Sequence, residues 1–301
     1  RRRHTRYISV TGVQTCALPI SANTVLTTAQ KAAALGFAQT IEAYAALQVL
    51  ATHDTVGMIT EIKANATELA PFVNRDSAYK YVLGTLNAGY TNLQAGGAAF
   101  PFTLHAGFTG FNTPATFGQF NRALAARAYA YYATFGGGAA TWQSALTALQ
   151  GSFLNAGATT RAQLDAGVYQ VYSTSTGDAT NPLTLATSTT LYAHQSFQAD
   201  AQLKADGTKD ARYLLKFKEG LPSRSGPLTA DGPTSGTSTL GPNLYLTAST
   251  SQGVIRNEEL ILLRAEARLA TGDKAGAIAD LNQVRVNSGR SEEHTSELQS
   301  H

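Results

Sequence analysis

The run Arg256–Gly289 constrains this chain more than any other stretch, because apolar residues recur at a helical period on both sides of a tight turn. Leu260, Leu263, Ala267 and Ala270 return at three- and four-residue steps, which predicts one face of a helix. Thr271-Gly272-Asp273 predicts its end, since glycine tolerates a left-handed cap and Asp273 can accept from the free N–H groups of a following helix. Ala277, Ile278, Leu281 and Val284 share a face of that second helix, and Asn287-Ser288-Gly289 stops it. Two short helices with a small-residue seam cannot bury their apolar faces alone, so the hairpin has to pack against others of its kind.

Other segments repeat this logic. Phe120–Thr134 reads as a helix, Gly136-Gly137-Gly138 as a turn, and Thr141–Phe153 as a partner helix with Trp142, Ala145, Leu146 and Leu149 on one face. Arg127–Thr134 matches Arg264–Thr271 at five of eight positions, each just before a glycine turn. Thr27–Leu50 is a strong helix whose stripe is Ala34, Phe37, Ile41, Tyr44, Ala45, Leu47 and Leu50, ending at the polar elbow His53-Asp54-Thr55. Ile59–Leu69 is a short helix or irregular segment. Asp76 is the expected cap of a helix to Gln94 that buries Tyr79, Val82, Leu83, Leu86 and Tyr90 and closes at Gly96-Gly97. Phe100–Phe117 breaks the pattern, with five phenylalanines among Gly, Pro and Thr, and reads as a long loop with aromatic anchors. Residues 164–250 carry short strands and turns: Gly167–Tyr172 alternates, Asn181-Pro182 turns, and Leu221–Gly241 is rich in Pro, Gly, Ser and Thr. The expected class is mainly α, with tetratricopeptide-like helical hairpins, long irregular loops and a few short strands.

The two ends read as foreign to this pattern. Val10–Ile20 and Arg290–His301 can be written as opposite strands of one inverted DNA repeat, and both resemble the translation of a sequencing-library adapter. Residues 1–20 and 290–301 are therefore set aside as non-native segments, leaving 21–289 as one domain truncated at both ends, with an irregular ligand-region excursion at 164–250. Cys16, the sole cysteine, goes with them, so disulfides and thiolate metal sites are not expected. Removing Arg1, Arg2, Arg3, Arg6 and Arg290 from 23 basic residues, and Glu292, Glu293 and Glu297 from 20 acidic ones, leaves 18 against 17. A nearly neutral chain gives no electrostatic reason to bind nucleic acid or an anionic membrane.

Catalytic chemistry is hard to assemble from what remains. His53, His105 and His194 lie far apart and none has metal-ligand spacing, while Ser152 and Ser196 lack a nucleophile-elbow context. Glu258, Glu259 and Glu266 offer carboxylates of the kind that glycoside hydrolysis needs, but the first two fall in a first helical turn and Glu266 lies within reach of arginines. Gly136-Gly137-Gly138 lacks the Lys-Ser/Thr of a phosphate loop, Asp206–Asp210 has too few oxygens for a calcium loop, and Asn65-Ala66-Thr67 fits a glycosylation acceptor. No catalytic residue, metal or cofactor is expected. Sugars stack apolar faces on aromatic rings and bond hydroxyls to amide and charged side chains. Phe108, Phe111 and Asn112 on one loop, with Tyr192 and Arg212 further on, fit that description as ligand-binding candidates.

The hairpin also resembles the C-terminal signature of the SusD/RagB family, in which an Arg-Asn-Glu-Glu-Leu helix start precedes an Ala-Glu-Ala helix, a Gly-Asp turn and a Leu-Asn-x-Val-Arg run. Phe120–Arg127, Trp142–Phe153, Tyr192–Phe197 and Asp210–Tyr213 resemble its middle and central segments. The resemblance implies a SusD-like α superhelix with irregular ligand-binding loops. It implies nutrient capture without chemistry, the ligand being an oligosaccharide or other nutrient. The implied partner is a TonB-dependent SusC-like transporter of the outer membrane, and the implied location is the bacterial cell surface, held by a lipid anchor that this piece lacks. The alternative is a tetratricopeptide-like interaction scaffold with no small ligand.

Overall fold

A computed structural model describes residues 20–61, 68–184, 192–204, 206–227 and 235–288. The adapter-like ends and the Asn65–Thr67 acceptor fall outside these residues, apart from Ile20. The chain divides into two compact units, Arg1–Ala156 with Ile255–Asp280, and Gly157–Val254 with Leu281–His301.

The first unit is a row of helices: α1 (Thr28–His53), α2 (Arg75–Gln94), α3 (Pro114–Tyr132), α4 (Ala139–Gln150) and α8 (Asn257–Ala270), with the start of α9 (Lys274–Asn287). Each packs on the next, α1 on α2, α2 on α3, α3 on α4 and α4 on α8. A two-stranded ribbon, β1 (Met58–Ile59) with β2 (Phe72–Val73), joins α1 to α2.

The seam of α1 is shifted from the expected stripe. Ala33, Gly36, Thr40, Ala43, Leu47 and Leu50 are buried, whereas Phe37, Ile41, Tyr44 and Ala45 are half-buried. A helix apolar on most sides carries no sharp periodic signal, and its smallest residues let the neighbour approach closest. A Cβ on Gly36 would lie 2.6 Å from Leu93 Cγ and 2.8 Å from the Gly89 carbonyl oxygen, so α1 and α2 meet backbone to backbone there. At the same level a buried polar node ties in α3. Asn121 Nδ2 donates to Thr40 Oγ1 at 2.7 Å and to the Leu86 carbonyl at 3.1 Å. Arg122 donates from Nη2 to the same carbonyl at 2.8 Å and from Nη1 to Asn87 Oδ1 at 2.8 Å, with its guanidinium 4.4 Å over the Tyr90 ring.

Two helix starts differ from the sequence reading. Asn74, not Asp76, caps α2: its extended backbone aims the side-chain oxygen at Ser77 N, 2.9 Å away, while Asp76 in the first turn bonds Lys80 and Tyr132. Helix α3 begins at Pro114 rather than Phe120, because Thr113 and Thr116 form a reciprocal capping box and proline suits the first helical position. Phe117 is therefore helical, and the loop before it is stapled by aromatics. Phe108 lies against Phe37, Phe117 and Phe120 with centroids 6.3, 5.5 and 5.8 Å apart.

The α8–α9 hairpin matches its expected turn. Gly272 takes φ +92° and Asp273 accepts from Gly276 N at 2.9 Å. Leu260, Leu263 and Ala267 are buried, but Ala270 is exposed, since the helix ends there. Inside the hairpin the carboxylate of Asp280, 3% exposed, accepts from Arg264 at 2.9 and 2.5 Å and from Arg268 at 2.9 Å. The echoing residue Arg127 makes the same two-pronged contact elsewhere, at 2.5 and 2.7 Å to Glu259, joining α3 to α8.

The second unit is built of short pieces. Helix α5 (Arg161–Asp165) leads into β3 (Gly167–Gln170), which pairs with β8 (Gln252–Arg256). Helices α6 (Ser196–Ala199) and α7 (Ala211–Lys216) precede β4 (Phe217–Lys218), which pairs antiparallel with β7 (Gly241–Pro242), and β5 (Arg224–Pro227) pairs with β6 (Ser235–Ser238). Asn181, fully buried, holds the Asn-Pro turn by donating to the Thr250 carbonyl at 2.7 Å.

Gly36→Ala forces a methyl group into the α1–α2 contact. Overpacking a tight seam costs about 1–3 kcal/mol, which exceeds the roughly 1 kcal/mol of helix propensity that alanine adds. Urea unfolding of the variant should show a lower midpoint, and an unchanged or higher one would mean that the contact is looser than described.

Candidate ligand-binding surface

The second unit presents three aromatic rings in order of exposure. His194 Nδ1 accepts from Ser196 N at 3.2 Å and lies 2.8 Å from Ser196 Oγ, which starts α6 and sets Phe197 on its first turn. Asp210 caps α7 by accepting from Arg212 N at 2.8 Å, which directs Tyr213 inward. Strand β4 then places Phe217 opposite Pro242, and Asn243 fixes the end of α7 by donating to the Lys216 and Leu214 carbonyls at 2.8 and 3.1 Å. Phe217 consequently lies 4.9 Å from Phe197 and 5.4 Å from Tyr213, with ring planes tilted by 30° and 33°. Tyr213 is 6% exposed and Phe197 is 54% exposed. An aromatic ring supported by a second ring and open to water is a platform for a flat apolar ligand face.

Polar groups hold the inner ring, Tyr213. Lys209 Nζ donates to Glu219 Oε1 at 2.5 Å and lies 4.5 Å over the Tyr213 ring, while the Tyr213 hydroxyl donates to the same oxygen at 2.6 Å. The Lys209 and Tyr213 hydrogen bonds hold the Glu219 carboxyl below its ordinary range. Burial first, then the hydrogen bond to Glu219, pushes the Tyr213 phenol up to about 12.

The five ligand candidates from the sequence fall in different settings. Phe111 is buried against Phe153, 4.9 Å between centroids, and Phe108 is half-buried in the phenylalanine cluster, whereas Asn112 beside them is exposed. Those three belong to the first unit. Tyr192 and Arg212 belong to the second, both half-buried. Arg212 bonds Asp210 through Nε and Nη2 at 3.0 Å each and Gln202 at 3.4 Å. Phe197, Phe217, Lys209 and Glu219 were not singled out by sequence. Phe197 closes the Tyr192–Phe197 segment that the family resemblance covers, whereas Phe217, Lys209 and Glu219 lie in stretches too short to show a period.

Two of the three carboxylates that the sequence offers for catalysis have arginine partners. Glu258 pairs with Arg256 at 3.5 Å and Glu259 with Arg127, while Glu266 stands exposed on α8. His105 Nδ1 caps a turn through Gly107 N at 3.3 Å. His194 Nδ1 meets both the hydroxyl of Ser196, at 2.8 Å, and its backbone N–H, at 3.2 Å, a local contact at the start of α6. Among the described residues no group of three His, Cys, Asp or Glu side chains could hold a metal, and no helix is long and apolar enough to cross a membrane.

No protein-family model and no curated protein matches the chain. Solved structures do. NanU of Bacteroides fragilis is 15% identical with a TM-score of 0.61, over 98% of this chain and 66% of that one. A SusD-like carbohydrate binding protein from Bacteroides vulgatus is 14% identical with a TM-score of 0.64, over 97% and 63%. Surface glycan-binding protein A from Bacteroides uniformis is 14% identical with a TM-score of 0.62, over 95% and 66%. The chain has the helical fold of SusD-like proteins and spans about two thirds of the length of these structures.

Because Tyr213 titrates near 12 instead of near 10, the unfolded chain loses that proton first as pH rises. The stabilisation is whole below pH 10 and drains away between 10 and about 12. In an ultraviolet phenolate titration of the folded protein, the difference between the parent and Tyr213→Phe should be centred at about pH 12. A difference centred at 10 would place Tyr213 in water.

Proposed function

We propose that this chain is part of a non-enzymatic glycan-capture protein of the SusD/RagB kind. The observation that carries this reading is Phe197, open to water and packed on Phe217, which in turn lies against Tyr213, a supported ring suited to a pyranose face. The SusD-like fold supports it, as do the names of structures that share the fold, two of which are described as carbohydrate or glycan binding. In this reading Tyr192 and Arg212 lend polar contacts in the second unit. In the first unit Phe108 and Phe111 anchor the loop that offers Asn112. By the same reading the whole protein is lipid-anchored on the outer-membrane surface and passes its oligosaccharide to a TonB-dependent SusC-like transporter, with no cofactor and no bond broken.

Phe197→Ala removes the outer ring and leaves the Phe217–Tyr213 contact in place. Stacking of aromatic pairs contributes about 0.5–1.5 kcal/mol beyond the area buried, so affinity for a glycan found by array screening should fall roughly tenfold or more in calorimetry. Undiminished binding by the variant would remove the platform from the site. A protein that binds no glycan at all would instead favour the tetratricopeptide-like scaffold.

A further inference from the structure

The two outer rings of the platform come from separate stretches of chain, yet both stretches are tied to one short run, 238–242. The far end of that run is β7, which pairs with β4 and sets Phe217 opposite Pro242. Its near end holds the residues that lead into α6. The Ala193 N–H donates to the Leu240 carbonyl at 2.8 Å, and the Ala193 carbonyl accepts from Ser238 Oγ at 2.6 Å. Two residues on, Gln195 Nε2 reaches Thr239 Oγ1 at 3.4 Å. The run itself is anchored by Leu240, 1% exposed, and by the Leu221 N–H, which donates to the Thr239 carbonyl at 2.9 Å.

Helix α6 has four residues, too few to keep an orientation by its own hydrogen bonds. The Phe197 N–H bonds the His194 carbonyl at 3.2 Å, so the ring follows the backbone that enters the turn. A single bond at Ala193 would let that backbone pivot about it. The second bond leaves the same residue through its carbonyl and removes this freedom, and the side chain that supplies it is Ser238. The hydroxyl is itself fixed. Ser238 ends β6, paired opposite Arg224 of β5, and its Oγ accepts from the Leu240 N–H at 3.0 Å. Its single proton has a nearer acceptor in the Ala193 carbonyl than in the Leu240 carbonyl, which lies at 3.4 Å.

We infer that Ser238 is a positioning residue of the platform: its hydroxyl clasps Ala193 and so holds Phe197 over Phe217. The consequence for binding rests on the glycan-capture reading above, whereas the clasp does not, and two readouts separate them. The first needs no ligand. In the intact chain labelled at phenylalanine, the Phe197 ring signals are identified by their absence from Phe197→Ala, and the ring current of Phe217 displaces them from the values of a free ring. The second is calorimetry with a glycan found by array screening, on the parent, Phe197→Ala, Ser238→Ala, Ser238→Thr and the double variant Phe197→Ala/Ser238→Ala. Circular dichroism verifies that each is folded.

Ser238→Ala should move the Phe197 signals toward free-ring values and weaken glycan binding about two- to tenfold, the range of one lost hydrogen bond. Ser238→Thr keeps the hydroxyl and should restore both. The double variant should bind no more weakly than Phe197→Ala alone, because a clasp that acts through the ring has nothing left to hold. Phe197 signals that stay in place in Ser238→Ala would overturn the clasp. Losses that multiply in the double variant would overturn the positioning role, since Ser238 would then act apart from the ring. Signals that move as expected in a protein that binds no glycan, or whose binding survives Phe197→Ala, would uphold the clasp and overturn the capture reading at this surface.

Discussion

The approach of α1 to α2 at Gly36 and Gly89 sets the geometry on which the first unit depends. Backbones that close leave no space for side chains, so the contact is held by a Thr40 hydroxyl that donates to its own helix at Gly36 O, 2.7 Å away, and accepts from Asn121. Asn121 is fully buried, and a buried amide left unpaired costs about 1–3 kcal/mol. That penalty fixes α3 in rotation as well as position, because only one register brings Nδ2 to both Thr40 and Leu86 O. Arg122 then reinforces the same carbonyl from the next residue. Three helices thus share one polar node, and the phenylalanine cluster beside it fills the volume that the small seam leaves.

Charge carries the row of helices onward. Arg127 on α3 grips Glu259 on α8, and Arg264 with Arg268 on α8 converge on Asp280 of α9. Arg127 and Arg264 each set a planar fork on a carboxylate and Arg268 adds a single bond to Asp280, a geometry that fixes orientation more than it adds stability. The same contact gives Glu259 a structural role, since Arg127 holds both of its oxygens and ties α3 to α8.

How much of this could be read from the residues depended on the range of the forces involved. The α8–α9 turn was legible because Gly272 and Asp273 act on their immediate neighbours, and the α4 helix and the Gly97 end of α2 for the same reason. The cap at Asn74 was missed in favour of Asp76 because both are good caps two positions apart, and only the backbone angle decides between them. The start of α3 was missed because Thr113-Pro114-x-Thr116 lies inside a run of phenylalanines that reads as loop. The seam of α1 was misplaced for a different reason: when nearly every residue is apolar, burial follows size and the neighbour's shape, which the sequence of one helix does not contain.

The candidate ligand surface was the least legible part, and its physics explains why. Phe197, Phe217 and Tyr213 come from three short elements, α6, β4 and α7. None of them has a helical or strand period long enough to mark a face. Exposure is what makes such a ring useful, and exposure is also what removes it from every pattern that core formation writes into a sequence. A buried phenylalanine such as Phe117 announces itself through the spacing of its neighbours. A solvent-facing one like Phe197 breaks the rule that large apolar residues go inside, and its position is held by the ring beneath it and by the capped turn before it.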